Sequence, residues 1–254
     1  MPIKSLVATF AMYSRVPMPK VELSEDDMKY IFCFFPLIGT VLAAVMYFSD
    51  KLLKTVGAGN VMYGVLMTLI PVIITGGIHF DGLLDTFDAL GSYGDKEKRL
   101  EIMKDPNCGA FAVMGGIGYF ALSTGAWCEG IGDNIFTVCM GYFISRSLSG
   151  AAVLTFPLAK NTGLAAAFRK GASQKLSVTV CSIGFILECA VMICVDMTGG
   201  IVTAAVSLIC FAGHYINCVK NFGGVSGDLS GAFLQVCELA ILAAAVFLRK
   251  MNGV

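Results

Sequence analysis

Charge is what this sequence has least of. Only 14% of its 254 residues are Asp, Glu, Lys or Arg, against roughly 25% in soluble domains, which excludes an ordinary soluble enzyme. No sign dominates either: 18 Lys and Arg balance 18 Asp and Glu, so no basic field exists to hold nucleic acid by its phosphates. CxxC pairs are missing too. The ten cysteines are scattered through apolar runs and read as small hydrophobes in a reduced setting rather than as metal ligands or disulfides. The first residues, MPIKSLVATFAMYSRVPMPK, lack a small-residue cleavage pattern and are interrupted by Arg15, Pro17 and Pro19, so they resemble an interfacial helix more than a removed signal peptide. No internal repeat, low-complexity tract or Pro/Ser linker divides the chain. Residues 1–254 are therefore expected to form one membrane domain, with 1–30 as a cytosolic or interfacial segment.

What the sequence does have is long apolar runs. A helix needs about 20 mostly apolar residues to cross the hydrocarbon core, where every backbone polar group must be satisfied within the segment. Ile31 to Ser49, Thr55 to Phe80, Asn107 to Cys128 and Met197 to Val219 carry no charge. Three further runs carry one each: Arg146 in Asn134 to Ala159, Glu188 in Leu176 to Val195, and Glu238 in Leu229 to Leu248. Such a group usually faces a protein interior or a wet cavity. The expectation is an all-α polytopic membrane bundle of about seven transmembrane helices, with a range of six to eight. The 29 glycines suit close helix packing, and the pairs Gly76-Gly77, Gly115-Gly116, Gly199-Gly200 and Gly223-Gly224 are read as marking segment ends.

Lys and Arg in short loops set orientation. Lys96, Lys98, Arg99 and Lys104 in one loop, and Lys160, Arg169, Lys170 and Lys175 in another, are expected in the cytosol with the amino terminus. Glu129 to Asp133 and Asp196 then lie opposite. Seven crossings leave Arg249 and Lys250 on that opposite side, against the rule.

The chemistry concentrates in residues 76–111, GGIHFDGLLDTFDALGSYGDKEKRLEIMKDPNCGAF. Asp81, Asp85 and Asp88 follow i, i+4, i+7 spacing, which on a helix puts three carboxylates on one face. Like charges that close are hard to sustain beside a membrane unless a cation neutralises them. Aspartate oxygens are hard ligands suited to Mg²⁺ or Mn²⁺, and Mg²⁺ commonly takes a few carboxylates together with substrate phosphates. A solvated helix face explains Lys96, Glu97 and Lys98, but it explains the triad poorly. Arg99 and Lys104 are placed to hold remaining phosphate oxygens. His79 either points away from the aspartates or, if Gly76-Gly77 breaks the helix, folds over the site as a proton acceptor. His214, alone in an apolar run, reads as a packing residue. Two weaker spots share this chemistry. Arg146, Lys160 and Arg169 frame SRSLSGAAVLTFPLAKNTGLAAAFRK, and GGVSGDLSGA surrounds Asp228 with flexible backbone whose N–H groups could meet an anion.

Together, GGIHFDGLLDTFDALGS, RLEIMKDPNCGAFAV, SRSL with FPLAKNTGLAAAF, and GGVSGDLSGA resemble the cobalamin synthase family, also called adenosylcobinamide-GDP ribazoletransferases. The similarity runs in consistent order from about Ile31 to Glu238, and the HxDGxxDxxDA and IMKDxxxGxF elements are specific in combination. The resemblance implies a prokaryotic cytoplasmic-membrane enzyme with its site facing the cytosol. It would transfer adenosylcobinamide phosphate from adenosylcobinamide-GDP to the 3'-hydroxyl of α-ribazole or its 5'-phosphate, releasing GMP, with Mg²⁺ as the metal. Under that resemblance Asp81 and Asp85 are the primary metal ligands, and Asp88 completes the shell or acts as general base with His79 as its competitor. Arg99 and Lys104 stabilise the leaving phosphate. Asp105 orients Lys104 or a ribose, Arg146, Lys160 and Arg169 bind substrate, and Asp228 closes the site. A homo-oligomer and association with other late cobalamin-assembly enzymes are compatible with it.

Two other readings compete. A CDP-alcohol phosphatidyltransferase-like enzyme also lines aspartates along a helix, but its signature needs an Ala-Arg pair after Asp-Gly, and none follows Asp81-Gly82. A secondary transporter coupling through Glu188, Glu238 and Arg146 predicts inverted repeats and helices broken at the midplane.

Overall fold

In lipid an uncovered backbone is prohibitively costly, so apolar runs of this length are committed to helix. The computed structural model describes residues 2–20, 24–162 and 164–251. Among them the chain forms α1 (Pro2–Tyr13), α2 (Ile31–Thr55), α3 (Asn60–Thr75), α4 (Ile78–Gly91), α5 (Lys96–Ile102) and α6 (Ala110–Glu129). It continues through α7 (Ile135–Thr155), α8 (Leu164–Gly171), α9 (Gln174–Val195), α10 (Met197–Asn217) and α11 (Gly227–Met251). The one extended pairing among the described residues is a parallel bridge between Leu158 and Val225.

Six helices, α2, α6, α7, α9, α10 and α11, are long and apolar enough to cross a membrane, and the bent pair α3–α4 brings the number up to seven. The expected polytopic bundle is therefore present. One run differs from expectation: Thr55 to Phe80 is not a continuous span. Gly76 and Gly77 take φ of 68° and 77°, a left-handed conformation that glycine adopts at little cost. The chain turns there by 99° into α4, so the acidic segment begins at a helix break inside the bundle.

The central helix is α7, with 83% of its span buried, whereas α9 has 11% and turns side chains such as Ile186 and Leu187 outward. Outward apolar side chains on a spanning helix are the signature of lipid contact. Glycine permits the closest approaches. A Cβ on Gly39 would collide with the Tyr142 carbonyl of α7, and Cβ atoms on Gly115 and Gly116 would strike Phe87 and Leu84 of α4. The Gly115-Gly116 pair thus lies inside α6 as a packing seam rather than at a segment end. Gly39→Ala is expected to lower stability by about 1–3 kcal/mol through overpacking. Thermal unfolding in detergent checks this, and an unchanged midpoint would sink the close α2–α7 contact.

The two ends of the bundle are distinct. At one end Cys128 meets the Asn60 carbonyl, Arg249 donates to the Glu129 carbonyl, and Lys250 Nζ lies 2.6 Å from Glu129 Oε2. The cationic carboxy terminus that ran against the loop-charge rule is therefore paired with an acid there. The opposite end gathers the loops after α4, α7 and α10, and α1 packs across it: Ser5 Oγ donates to the Asp27 carbonyl at 2.6 Å, and Arg15 N to the Ile74 carbonyl at 2.7 Å. The cysteines are all free, and four of them (Cys139, Cys181, Cys218, Cys237) are buried; Cys108 and Cys194 are exposed.

Candidate active site

The acids sit on α4 as the spacing requires. Asp81 is exposed in the first turn, Asp85 is half-buried one turn on, and His79 is buried on the other side of the helix. The field at Asp85 comes from Asp81, Asp228 and Asp88, so the late acid from α11 joins the α4 acids. Gly82 makes this meeting feasible: a Cβ there would run into the Asp228 backbone. Among the described residues, no group of three or more His, Cys, Asp or Glu side chains is placed to hold a metal ion.

Asp88 departs from its expected role. Its Oδ2 accepts from Gly109 N at 2.5 Å and its Oδ1 from Ala112 N at 2.8 Å. Helix starts leave N–H groups without partners, and Asp88 supplies them from a different helix, capping α6. With both oxygens so held, it is better placed as a brace between α4 and α6 than as a base or third metal ligand. Asp88→Asn keeps one of the two acceptors and is expected to lose part of the capping, Asp88→Ala all of it, about 1 kcal/mol or more, while both retain most turnover when folded. Equal losses of turnover in both folded variants would restore the general-base reading.

The cations divide into two groups. Lys104 and Lys160 come together across a cavity of about 180 Å³ that is also lined by Ser226, Gly227 and Asp228. Partial desolvation, and then the Lys104 ammonium beside it, push Lys160 below the ordinary lysine range. Two ammonium groups so close want an anion between them. The amino end of α11 adds to this, since Ser226 Oγ caps Leu229 N at 3.2 Å and a helix start favours negative charge. Arg99 of α5 does not line this cavity; it donates from Nη1 to Asn221 Oδ1 at 2.8 Å and to the Asn221 carbonyl at 3.4 Å. Asn221 belongs to the π-helical turn Cys218–Phe222, a form that often marks functional sites. Nothing in the spacing of the motifs marks Asn221 as this partner.

Three expected substrate contacts are engaged elsewhere. Arg146 is fully buried and pairs with Glu238 of α11, with Ser145 bonded to both. It is an internal ion pair, as charges at membrane depth usually are, and it lines neither the lysine cavity nor the apolar one beside it. Arg169 donates from Nη1 to the Phe156 carbonyl at 2.7 Å, satisfying the end of α7. Asp105 Oδ1 accepts from Asn107 N at 2.9 Å and Nδ2 at 2.7 Å, which holds its carboxyl below the usual carboxylate range and makes it a turn residue. His214 packs against Phe233 with ring centres 4.9 Å apart, as expected of a packing residue.

Comparison with known proteins bears on this combination of α4 acids, lysine cavity and glycine-rich helix start. The sequence model of the family described as cobalamin-5-phosphate synthase matches residues 5–246. The chain belongs to that family. A relative named adenosylcobinamide-GDP ribazoletransferase from Lachnoclostridium phytofermentans is 38% identical over 245 residues, covering 96% of this chain and 94% of that protein. Relatives of the same name from Clostridium botulinum (strain Alaska E43 / Type E3) and Treponema denticola are 33% and 30% identical, covering 95% and 97% of this chain and 96% and 98% of their own lengths. No solved structure matches. Membership covers the whole bundle and disfavours both the phosphatidyltransferase and the transporter readings.

Proposed function

We propose that the chain transfers adenosylcobinamide phosphate from adenosylcobinamide-GDP to the 3'-hydroxyl of α-ribazole or its 5'-phosphate, the last assembly step of cobalamin synthesis. The observation that carries this is the family match along nearly the whole chain, with relatives of that name at up to 38% identity. A new P–O bond forms from the ribose oxygen to the corrinoid-side phosphorus. The bond from that phosphorus to the GMP oxygen breaks, GMP leaves, and the hydroxyl proton passes to a base.

Asp81 and Asp85 offer the hard oxygen donors that fit Mg²⁺. Bound there, Mg²⁺ would neutralise diphosphate charge as a Lewis acid. Lys104, Lys160 and the amino end of α11 would hold the phosphate oxygens of the departing GMP, so that positioning and fixed charge supply most of the rate. Arg99, held by Asn221, would add a cation on the helix just before Lys104. Asp228 borders the lysine cavity and accepts the hydroxyl proton, a role for which Asp88 is too fully engaged. The lysine-bearing loops share one end of the bundle, and the bias of such residues toward the cytosol supports a site open to that side.

The test is GMP release from protein in detergent or liposomes given adenosylcobinamide-GDP, α-ribazole phosphate and Mg²⁺, with EDTA as control. GMP and a new corrinoid product, both lost with EDTA, are expected. Folded protein that makes neither would reject the proposal. A pH series adds a second check. Lys160 loses its proton below the usual lysine pKa of about 10.4, so donor affinity should weaken as pH rises toward that value. Lys160→Arg should flatten the decline.

A further inference from the structure

Beside the lysine cavity lies a second one of quite different character. Its volume is about 90 Å³, several times the roughly 10–15 Å³ that admits one water. Rings from four helices form its wall: Tyr13 of α1, Phe32 and Phe35 of α2, His79 of α4 and Phe168 of α8. They make a continuous series, with Tyr13 and His79 stacked at 6.1 Å and Phe35 set edge-on to His79 at 6.2 Å. Phe32 meets Phe35 at 6.3 Å and Phe168 at 6.0 Å, both edge-on. Rings set face and edge around a gap suit a flat aromatic guest.

A polar group inside this apolar wall has no partner. His79 is 4% exposed, and its Nε2 makes no hydrogen bond. Leaving such an atom unsatisfied in an apolar site costs roughly 1–3 kcal/mol, so its presence points to a guest that supplies the partner. An acyl chain cannot do so; a nitrogen heterocycle can. The aromatic cavity and the lysine cavity share Ala165, Gly227 and Asp228 as a common wall. A molecule with a flat base in one and its sugar at Asp228 would present a hydroxyl toward the anion held in the other.

We infer that the aromatic cavity is the subsite for the heteroaromatic base of the acceptor nucleoside, with the His79 Nε2–H donating to the ring nitrogen that carries no sugar. This rests on the proposed function and deepens it, giving the acceptor a place distinct from the donor's phosphates. It also moves His79 from proton acceptor to base recognition. A Cβ on Gly231 would lie 3.2 Å from the His79 Cα and 3.3 Å from its carbonyl oxygen, a tight contact, so the glycine lets α11 lie close to α4 beside the cavity.

The test combines kinetics with binding on the intact protein. His79→Ala, and Val153→Phe, which fills the cavity from α7, should each raise both Kd and KM for α-ribazole at least about tenfold. KM for adenosylcobinamide-GDP should stay within about twofold, as a loss confined to the acceptor requires. His79→Gln, which restores a donor, should recover part of the affinity. Free benzimidazole should compete with α-ribazole and not with the donor. A photoreactive azidobenzimidazole riboside should label the cavity-lining peptides of α1, α2, α4, α7, α8 or α11 in the wild-type protein, which decides the matter if a variant fails to fold. Normal turnover with unchanged α-ribazole affinity in the variants, or labelling elsewhere, or labelling displaced by phospholipid but not by α-ribazole, would overturn the subsite and leave the proposed function standing. Wild-type protein that neither binds α-ribazole nor releases GMP would overturn both.

Discussion

Alanine at Asp81 or at Asp85 is expected to reduce kcat for GMP release by at least about 100-fold, the scale of losing one preorganised electrostatic contact to a transition state. Asp81 is exposed and Asp85 is half-buried one turn further along α4. Removing either carboxylate relieves repulsion with Asp228, so the variants should remain folded and elute as the wild type on size exclusion. Asp81→Glu or Asp85→Glu keeps the charge but moves it by one methylene, and is expected to raise the Mg²⁺ concentration needed for half-maximal rate. Near-normal turnover in both alanine variants would remove the metal assignment. The fit rests on donor chemistry. Two hard carboxylates on one helix face would supply oxygen donors to a divalent cation, and the two lysines of the neighbouring cavity would meet the phosphates.

The second large effect concerns stability rather than turnover. Arg146→Ala and Glu238→Ala should each destabilise the protein by about 3–5 kcal/mol, because each leaves the other charge buried without its partner. Replacing both, as Arg146→Met with Glu238→Leu, should recover much of that loss, since a buried ion pair against well-packed apolar groups is often near neutral. Thermal unfolding of the single and double variants in detergent measures the coupling. Activity separates the roles. If the pair only joins α7 to α11, the folded double variant keeps GMP release; if Arg146 contacts substrate, the double variant is stable but inactive.

The acidic face of α4 was legible in the sequence, and the Arg146–Glu238 pair was not. The membrane class and the helical bundle followed from composition, since a chain with so few charges and so many 20-residue apolar runs has no other way to satisfy its backbone in lipid. The acidic face was legible because i, i+4, i+7 spacing fixes angular position once a helix forms. The break before it was legible only as an alternative at Gly76-Gly77, since the apolar run reads through the two glycines although glycine takes consecutive positive φ readily. Membership of the family was legible from four ordered motifs.

Partner choice was not. Asp88 has the same spacing as its neighbours, yet the start of α6 lies against it and takes both oxygens. Arg146, Arg169 and Lys160 all lie in or beside one motif-rich stretch, yet one is sealed against Glu238, one holds the end of α7, and only the third opens on a cavity beside Lys104. Spacing along a chain fixes which face of a helix a side chain occupies. Which group meets it there depends on how helices distant in sequence pack. A carboxylate or guanidinium bonds to whatever donor or acceptor that packing brings within about 3 Å, so only the tertiary structure decided which of these charges remain free for substrate.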